Sequence, residues 1–239
     1  MTNFYVVATP IGNLGDISQR ALNVLREVDL VLAEDTRTTK NLLNHFGIEK
    51  PIVSYHQHSK ISKINEILAM LRNGQNLALV SDAGTPGISD PGGQLIEAIV
   101  RELGDLVKIE PIPGPSAITA IASVCGFPMD RFLFLGFPPA KNKRKKFFEE
   151  VIASKYPVIF YESPHRILRT LGELKELGSL SLKEPSSFQN PLRVVVGREL
   201  TKKFETIYRG TLNEVAKEIE NDKVGGNIKG EFVVAIDKK

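Results

Sequence analysis

Leu77-Ala78-Leu79-Val80-Ser81-Asp82-Ala83-Gly84-Thr85-Pro86-Gly87-Ile88-Ser89-Asp90-Pro91-Gly92-Gly93 reads as a buried strand that empties into a tight loop. Glycine lets a backbone come close to a ligand, and proline stiffens the turn. In open α/β sheets ligands sit in the crevice outside the carboxyl ends of the strands. This stretch therefore predicts an α/β protein with a small-molecule site on residues 81–93.

The same grammar extends outward. Residues 4–8 and 29–33 read as further buried strands, each followed by a polar loop and a helical pattern. After Thr9-Pro10-Ile11-Gly12-Asn13-Leu14-Gly15, Asp16 is placed to cap a helix, with Gln19 at capping-box spacing. Helices are expected over 38–46, 59–72 and 91–103, and a strand over 107–112. Strands alternating with helices indicate a parallel sheet. Pro111, Pro113 and Pro115 cannot all pair in a central strand, so 111–116 reads as a hinge. The α/β rhythm then restarts. Strands are expected over 132–137, 157–162, 193–197, 204–208 and 231–236, and a helix over 143–152. Another helix is capped by Ser163 with Pro164 at its first position, and a last one opens on a Thr211–Glu214 capping box. Residues 178–191 read as a polar, structureless stretch. Two α/β domains follow, 1–112 and 113–239, with a cleft between them.

Composition sets bounds. The chain has 239 residues and is 42% hydrophobic, enough for a real core. No apolar stretch reaches the roughly 18 residues of a membrane span, and the first residues lack the pattern of a signal peptide. Cys125 is the single cysteine. These features predict a cytoplasmic protein with no membrane partner. A net charge of +3 is too small for nucleic-acid binding by bulk charge, so any RNA contact must come from local patches.

Several chemistries lose their warrant. A dinucleotide fold would need paired glycines after the first strand, yet the loop reads Gly12-Asn13-Leu14-Gly15 and Pro10 lacks an amide donor. No glycine loop leads into Lys-Ser or Lys-Thr, which argues against a Walker-type phosphate site. His56 and His58 lack the further ligands a zinc site requires, so no metal is expected. No nucleophile elbow is present. What remains is a compact neutral pocket built from backbone turns. S-adenosylmethionine suits it, as would other nucleotides. A sulfonium donor carries an activated methyl group, so catalysis reduces to positioning.

The chain resembles the ribosomal RNA small-subunit methyltransferase I family, a branch of the tetrapyrrole methylase fold. The resemblance rests on segments in family order: residues 7–17 (VATPIGNLGDI), 33–37 (AEDTR), 81–93, 113–117 (PGPSA), 134–139 (FLGFPP), 161–166 (YESPHR) and 198–202 (RELTK). It implies an α/β, two-domain tetrapyrrole methylase-like fold, each domain a mixed sheet flanked by helices. It also implies an S-adenosylmethionine donor in the cleft, 2′-O-methylation of a cytidine in the decoding region of small-subunit rRNA, and a homodimer. The substrate is small-subunit rRNA or the 30S subunit. A tetrapyrrole acceptor, or a non-catalytic ribosome-binding factor, are the rival readings.

On this basis Asp82, Ala83, Gly84, Ile88, Ser89 and Asp90 are assigned to the donor, with Ser116, Ala117 and Ile118 on the pocket's other side. Pro10, Tyr161, Gly230 and Glu231 complete the donor set. Glu34, Asp35, Arg37 and Asp16 are the candidate catalytic residues, and Glu34 or Asp35 is the candidate general base for the hydroxyl proton. An Asp35–Arg37 buried salt bridge and a capping role for Asp16 or Asp90 are the purely structural alternatives. Lys141, Lys143, Arg144, Lys145 and Lys146 form the densest basic run and are assigned to RNA phosphates, with His165, Arg166, Arg198 and Lys202. Phe137 and Tyr161 are possible stacking platforms for a flipped base.

Overall fold

The computed structural model describes residues 1–56, 59–181, 192–223 and 225–238. It divides into two compact units, Met1–Ser116 and Ala117–Lys239.

The first unit is built on five strands, β1 (Thr2–Val7), β2 (Leu30–Ala33), β3 (Ile52–Ser54), β4 (Leu77–Val80) and β5 (Val107–Ile112), in the order β3-β2-β4-β1-β5. Every pairing among them is parallel. The interleaved helices are α1 (Gln19–Glu27), α2 (Thr36–His45), α3 (Ile61–Arg72) and α4 (Gly93–Leu103). A parallel sheet needs both faces covered, and the strands alternate accordingly. Phe4, Val6, Leu30, Leu32, Leu77 and Leu79 join the core with α3 and α4. Val7, Val31, Ala33, Ala78 and Val80 join the core with α1 and α2. The strands at the centre of the sheet thus read as unbroken apolar runs. Pro111 is tolerated because β5 is an edge strand, where a missing donor leaves no ladder bond unmade.

This layout fixes where a ligand can approach. β1 and β4 are neighbours, yet the helices after them lie on opposite faces, α1 on one and α4 on the other. The same holds for β2 and β4. A crevice opens at such a reversal, at the carboxyl ends of the strands.

The second unit carries α5 (Ala117–Val124), β6 (Leu133–Phe134), α6 (Arg144–Ala153), β7 (Val158–Glu162), α7 (Ile167–Ser181), β8 (Arg193–Arg198), β9 (Thr206–Thr211), α8 (Leu212–Asn221) and β10 (Phe232–Asp237). Its sheet order is β6-β7-β10-β8-β9, with β6 and β7 parallel and the rest antiparallel. The mixed pairing expected of each domain is found here, while the first sheet is wholly parallel. Helices α6, α7 and α8 bury Phe148, Val151, Ile167, Leu171, Leu174, Val215 and Ile219 on one sheet face, against Val158, Phe160, Val194, Val196 and Val234.

Local differences from the sequence reading have physical causes. Asp16 does not cap α1. Ser18 does, its hydroxyl accepting from the Ala21 amide at 3.1 Å, because Ile17 and Ser18 are extended. Asp16 closes a 3-10 turn (Leu14–Asp16) capped by Asn13. The strand expected over 132–137 shortens to β6, since Gly136 turns at φ +66° just before Pro138 and Pro139. Turn residues 164–166 separate Ser163 from α7, and the Ser163 carbonyl accepts from the Arg166 and Ile167 amides. Helix α7 continues to Ser181, through the first part of the stretch read as structureless, and 182–191 lie outside the described residues. The Thr211–Glu214 capping box is present.

Candidate functional site

Three loops of the first unit converge at the β1/β4 reversal. Thr9 and Gly84 exchange both backbone hydrogen bonds, 2.9 and 3.0 Å, forming an isolated antiparallel bridge beyond the strand ends. The Thr9 hydroxyl donates to the Ser81 carbonyl at 3.0 Å, and the Ser81 hydroxyl donates to the Gly84 carbonyl at 3.0 Å. Both hydroxyls are buried. Gly84 sits at φ +83°, a region closed to most side chains, and its α-carbon faces Ile11 and the Pro115 carbonyl. Loop 81–93 is thereby stapled at its base. Ser81, Gly84, Pro86, Pro91 and Gly92 are buried, while Asp82, Ala83, Gly87, Ile88 and Ser89 form an exposed ridge. Ser89 holds a left-handed conformation, φ +60°, unusual for a residue with a β-carbon.

Thr9→Val keeps the shape and removes the donor to Ser81. Loss of that buried bond is expected to cost about 1–3 kcal/mol, read as a lower urea midpoint with an unchanged slope.

The β2 end adds charge. The Asp35 amide donates to Asp82 Oδ1 at 3.0 Å, tying the second loop to the third. Asp35 caps α2, accepting from the Arg37 amide at 2.8 Å, and pairs with the Arg37 guanidinium at 2.9 Å. The pair is not buried, since the Arg37 side chain is 88% exposed. The Arg37 side-chain hydrogen bond, reinforced by its amide, pulls the Asp35 carboxyl down to about 2. Asp35 is thus spent on structure and is a weak base. Asp90 is the opposite case. Burial, followed by the charges of Glu34 and Asp82, pushes it up to about 6, and a hydrogen bond with Ser81 only partly offsets this. Nor does it cap α4, whose N-cap is Gly92 with no side-chain bond. Glu34, Asp82 and Asp90 thus share one charged corner. The sequence alone places Asp90 on the donor loop and carries no sign of its proton chemistry. Glu34 stands on the β2 end and Asp90 on the loop after β4, far apart along the chain, so no local signal marks the coupling.

Pro10 is buried, and Asp16 is exposed in its turn. Ser116 is half-buried at the end of the unit. Gly114 packs tightly, since a β-carbon there would lie 3.0 Å from that of Ala8, which would have to yield slightly.

In the second unit, Ala117, Ile118 and Tyr161 are half-buried. Gly230, at φ +103°, and Glu231 are drawn to Glu199, whose Oε1 accepts from the Glu231 amide at 2.9 Å. Lys202 bridges Glu199 and Glu231 at 2.9 and 2.8 Å. Arg198 donates to the Lys229 carbonyl and the Tyr208 hydroxyl. Arg198 and Lys202 are therefore engaged within the unit rather than extended toward solvent. Arg166 is likewise held, pairing with Glu162 at 2.8 Å, while His165 is exposed.

Arg144 overturns its assignment to RNA. It is 3% exposed. Its guanidinium donates to Glu173 at 2.7 Å, to Thr170 at 2.6 Å and to the Pro139 carbonyl at 3.1 Å, and lies 3.6 Å from Glu162. Every face of the fork is consumed internally, so none remains for phosphate. Lys141, Lys143, Lys145 and Lys146 remain exposed.

His56 is exposed, and His58 lies outside the described residues. Among the described residues no group of three or more His, Cys, Asp or Glu is arranged to hold a metal.

The chain thus combines a wholly parallel sheet, whose strand ends carry a stapled glycine–proline loop, with a second sheet of mixed pairing. The sequence profile described as Tetrapyrrole (Corrin/Porphyrin) Methylases matches residues 3–216. The chain belongs to the tetrapyrrole methylase family. Within it, the chain is 45% identical over 234 residues to "Ribosomal RNA small subunit methyltransferase I" of Xylella fastidiosa, covering 97% of this chain and 80% of the relative. It is 41% identical over 228 residues to the protein of that name from Thermotoga maritima, covering 95% and 96%. Membership of this branch of the tetrapyrrole methylases follows. Solved structures share the fold at low identity. Diphthine synthase superposes with a TM-score of 0.69 at 16% identity, covering 100% of this chain and 91% of that one. The methyltransferase CobJ does so at 0.64 and 17%, covering 100% and 95%.

Proposed function

We propose that this tetrapyrrole methylase transfers a methyl group from S-adenosylmethionine to the ribose 2′-oxygen of a cytidine in the decoding region of small-subunit rRNA. The observation that carries the reading is the stapled loop 81–93, a rigid ridge of backbone at the strand reversal. The names borne by relatives more than 40% identical supply the rRNA acceptor.

The residues fit an adenosyl donor. Ile88 offers an apolar side chain that is 44% exposed, a surface suited to an adenine face. Gly84, through its φ of +83°, and Gly114, tight against Ala8, favour bare backbone that a ligand can approach. We assign Pro10, Asp82, Ala83, Gly84, Ile88, Ser89 and Ser116 of the first unit to the donor, with Ala117, Ile118, Tyr161, Gly230 and Glu231 of the second. Bound there, S-adenosylmethionine supplies a methyl group already activated by its sulfonium. The protein's tasks are alignment and proton acceptance. The hydroxyl proton goes to the Glu34/Asp90 pair, because Asp90 alone among these carboxylates is shifted to a basicity near neutrality. Asp35 and Arg37 fix the β2 loop to Asp82, and exposed Asp16 lies on the acceptor side. Lys141, Lys143, Lys145, Lys146 and His165 contact RNA phosphates. The enzyme works as a homodimer in the cytoplasm on rRNA or the 30S subunit. No helix among the described residues is long and apolar enough to cross a membrane.

Two measurements test this. Calorimetric titration with S-adenosylmethionine gives saturable one-site binding. No heat at millimolar donor favours a ribosome-binding factor with a vestigial pocket. Mass spectrometry of small-subunit rRNA from cells lacking the protein shows one cytidine without its ribose methyl group. An unchanged ribose methylation pattern removes the assignment and leaves the tetrapyrrole acceptor as the reading to pursue.

A further inference from the structure

The second unit holds an aromatic ring in water at considerable structural cost. Phe137 is 53% exposed, although a ring of that size gains most by burial. Its position is not loose. The ring packs on Tyr161 at 5.2 Å, and Tyr161 packs edge-on to Phe134 at 5.1 Å. The next two residues are pinned from beneath. Arg166 donates to the Pro138 carbonyl at 3.0 Å, and Arg144 donates to the Pro139 carbonyl at 3.1 Å. Both guanidiniums are anchored on the buried carboxylate of Glu162. Immediately beyond, Lys141 and Lys143 are exposed, and their ammonium groups have no ion-pair partner among the described residues. Lys143 adopts a left-handed conformation, φ +65°. A buried ionic network is a poor source of stability. Here it terminates on two proline carbonyls and fixes a solvent-facing ring just ahead, in the chain, of two exposed lysines.

A rigid π-face with flanking positive charge matches one ligand chemistry, an unstacked base with its adjoining phosphates. We propose that Phe137 is a stacking platform for an unpaired base of the RNA substrate, with Lys141 and Lys143 on the neighbouring phosphates. The inference rests on the rRNA reading above and adds to it a specific shelf and a single-stranded target. Arg144 and Arg166, which the sequence places among RNA contacts, are positioning residues that act through the proline carbonyls.

The two halves of the shelf leave different signatures. Stacking is insensitive to salt, whereas each lysine–phosphate contact releases counterions and adds about 0.7 to the salt slope on a single strand. The experiment uses the full chain and a short fluorescein-labelled single-stranded RNA, followed by anisotropy across a salt series. Phe137→Ala is expected to weaken binding about ten-fold, the size of one base–aromatic stack, with the salt slope unchanged. Phe137→Tyr is expected to bind like the wild type. The double substitution Lys141→Ala/Lys143→Ala is expected to lower the slope by about 1.4. Thermal melts confirm that each variant folds. An affinity for Phe137→Ala within two-fold of the wild type overturns the platform, and an unchanged slope in the double variant overturns the phosphate contacts. If the wild type binds S-adenosylmethionine but no RNA, the rRNA reading itself falls, and the shelf with it.

Discussion

Replacing Arg144 by alanine is expected to cost about 3–5 kcal/mol, the scale for removing one partner of a buried ion pair. Glu162 is 1% exposed and would lose its nearest interior cation besides Arg166, while Glu173, Thr170 and the Pro139 carbonyl would each lose a donor. Urea unfolding reads the effect as a lower midpoint. Arg144→Lys recovers little of it, because an ammonium cannot present a planar fork to four acceptors at once. The neighbouring Lys145→Ala is a control. Lys145 is exposed, and its 3.8 Å pair with Glu149 belongs to the class worth less than about 1 kcal/mol. A loss below about 1 kcal/mol for Arg144→Ala would mean that Glu162 is satisfied without it.

Asp90→Asn is expected to move activity and stability in opposite directions. The proposed function makes Asp90 a proton acceptor, and a general base contributes on this scale, so turnover should fall about 10²–10⁴-fold. The same change should raise the melting temperature at pH 7.5. The carboxyl is pushed up to about 6 in the folded protein, from an ordinary 3.8, so the native state holds its proton longer than the unfolded chain. Between about pH 4 and pH 6 the wild type therefore loses stability as pH rises, and above that the penalty is fully present. Asparagine carries no such charge. The gain at pH 7.5 should vanish below about pH 4, at roughly 2–4 °C for each kcal/mol relieved. Asp35 has the reverse sign. Its depressed carboxyl stabilises the fold above its ordinary value, and that contribution disappears as pH falls from about 4 toward 2. Glu34→Gln removes one of the charges that raise Asp90, so the acid limb of the pH–rate profile should shift to lower pH. Equal turnover in Asp90→Asn and the wild type would exclude Asp90 from proton transfer.

Much of this architecture is written in the chain at short range. The runs at Leu77-Ala78-Leu79-Val80 and Leu30-Val31-Leu32-Ala33 are apolar throughout because both faces of a parallel sheet are covered, and the glycine–proline loop after β4 marks the reversal. The burial of Arg144 was also legible, though masked by its lysine neighbours. Arg144, Phe148, Val151 and Ile152 fall at i, i+4, i+7 and i+8, one apolar face of a helix. A cation on that stripe must be buried and paired. Its partners were not legible, because Glu162 and Thr170 reach it only through packing of β7 and α7. Helix starts were harder for a different reason. Asp16 and Ser18 are both competent caps, and only the extended backbone at Ile17 decides between them. The raised basicity of Asp90 owes most to burial, and strand order adds Glu34 from the β2 end to the Asp82 and Asp90 of one loop.

The order of the first sheet also has a kinetic consequence for biosynthesis. β1 leaves the ribosome well before its partners β4 and β5, with Phe4 opposite Leu77 and Ile109. At about 5–20 residues per second, some seconds of elongation pass before Phe4, Val6 and Val7 find anything to pair with. The nascent β1 segment must wait, unpaired and apolar, until the segment that becomes the stapled loop has nearly emerged, which makes this interval the one in which chaperones matter most.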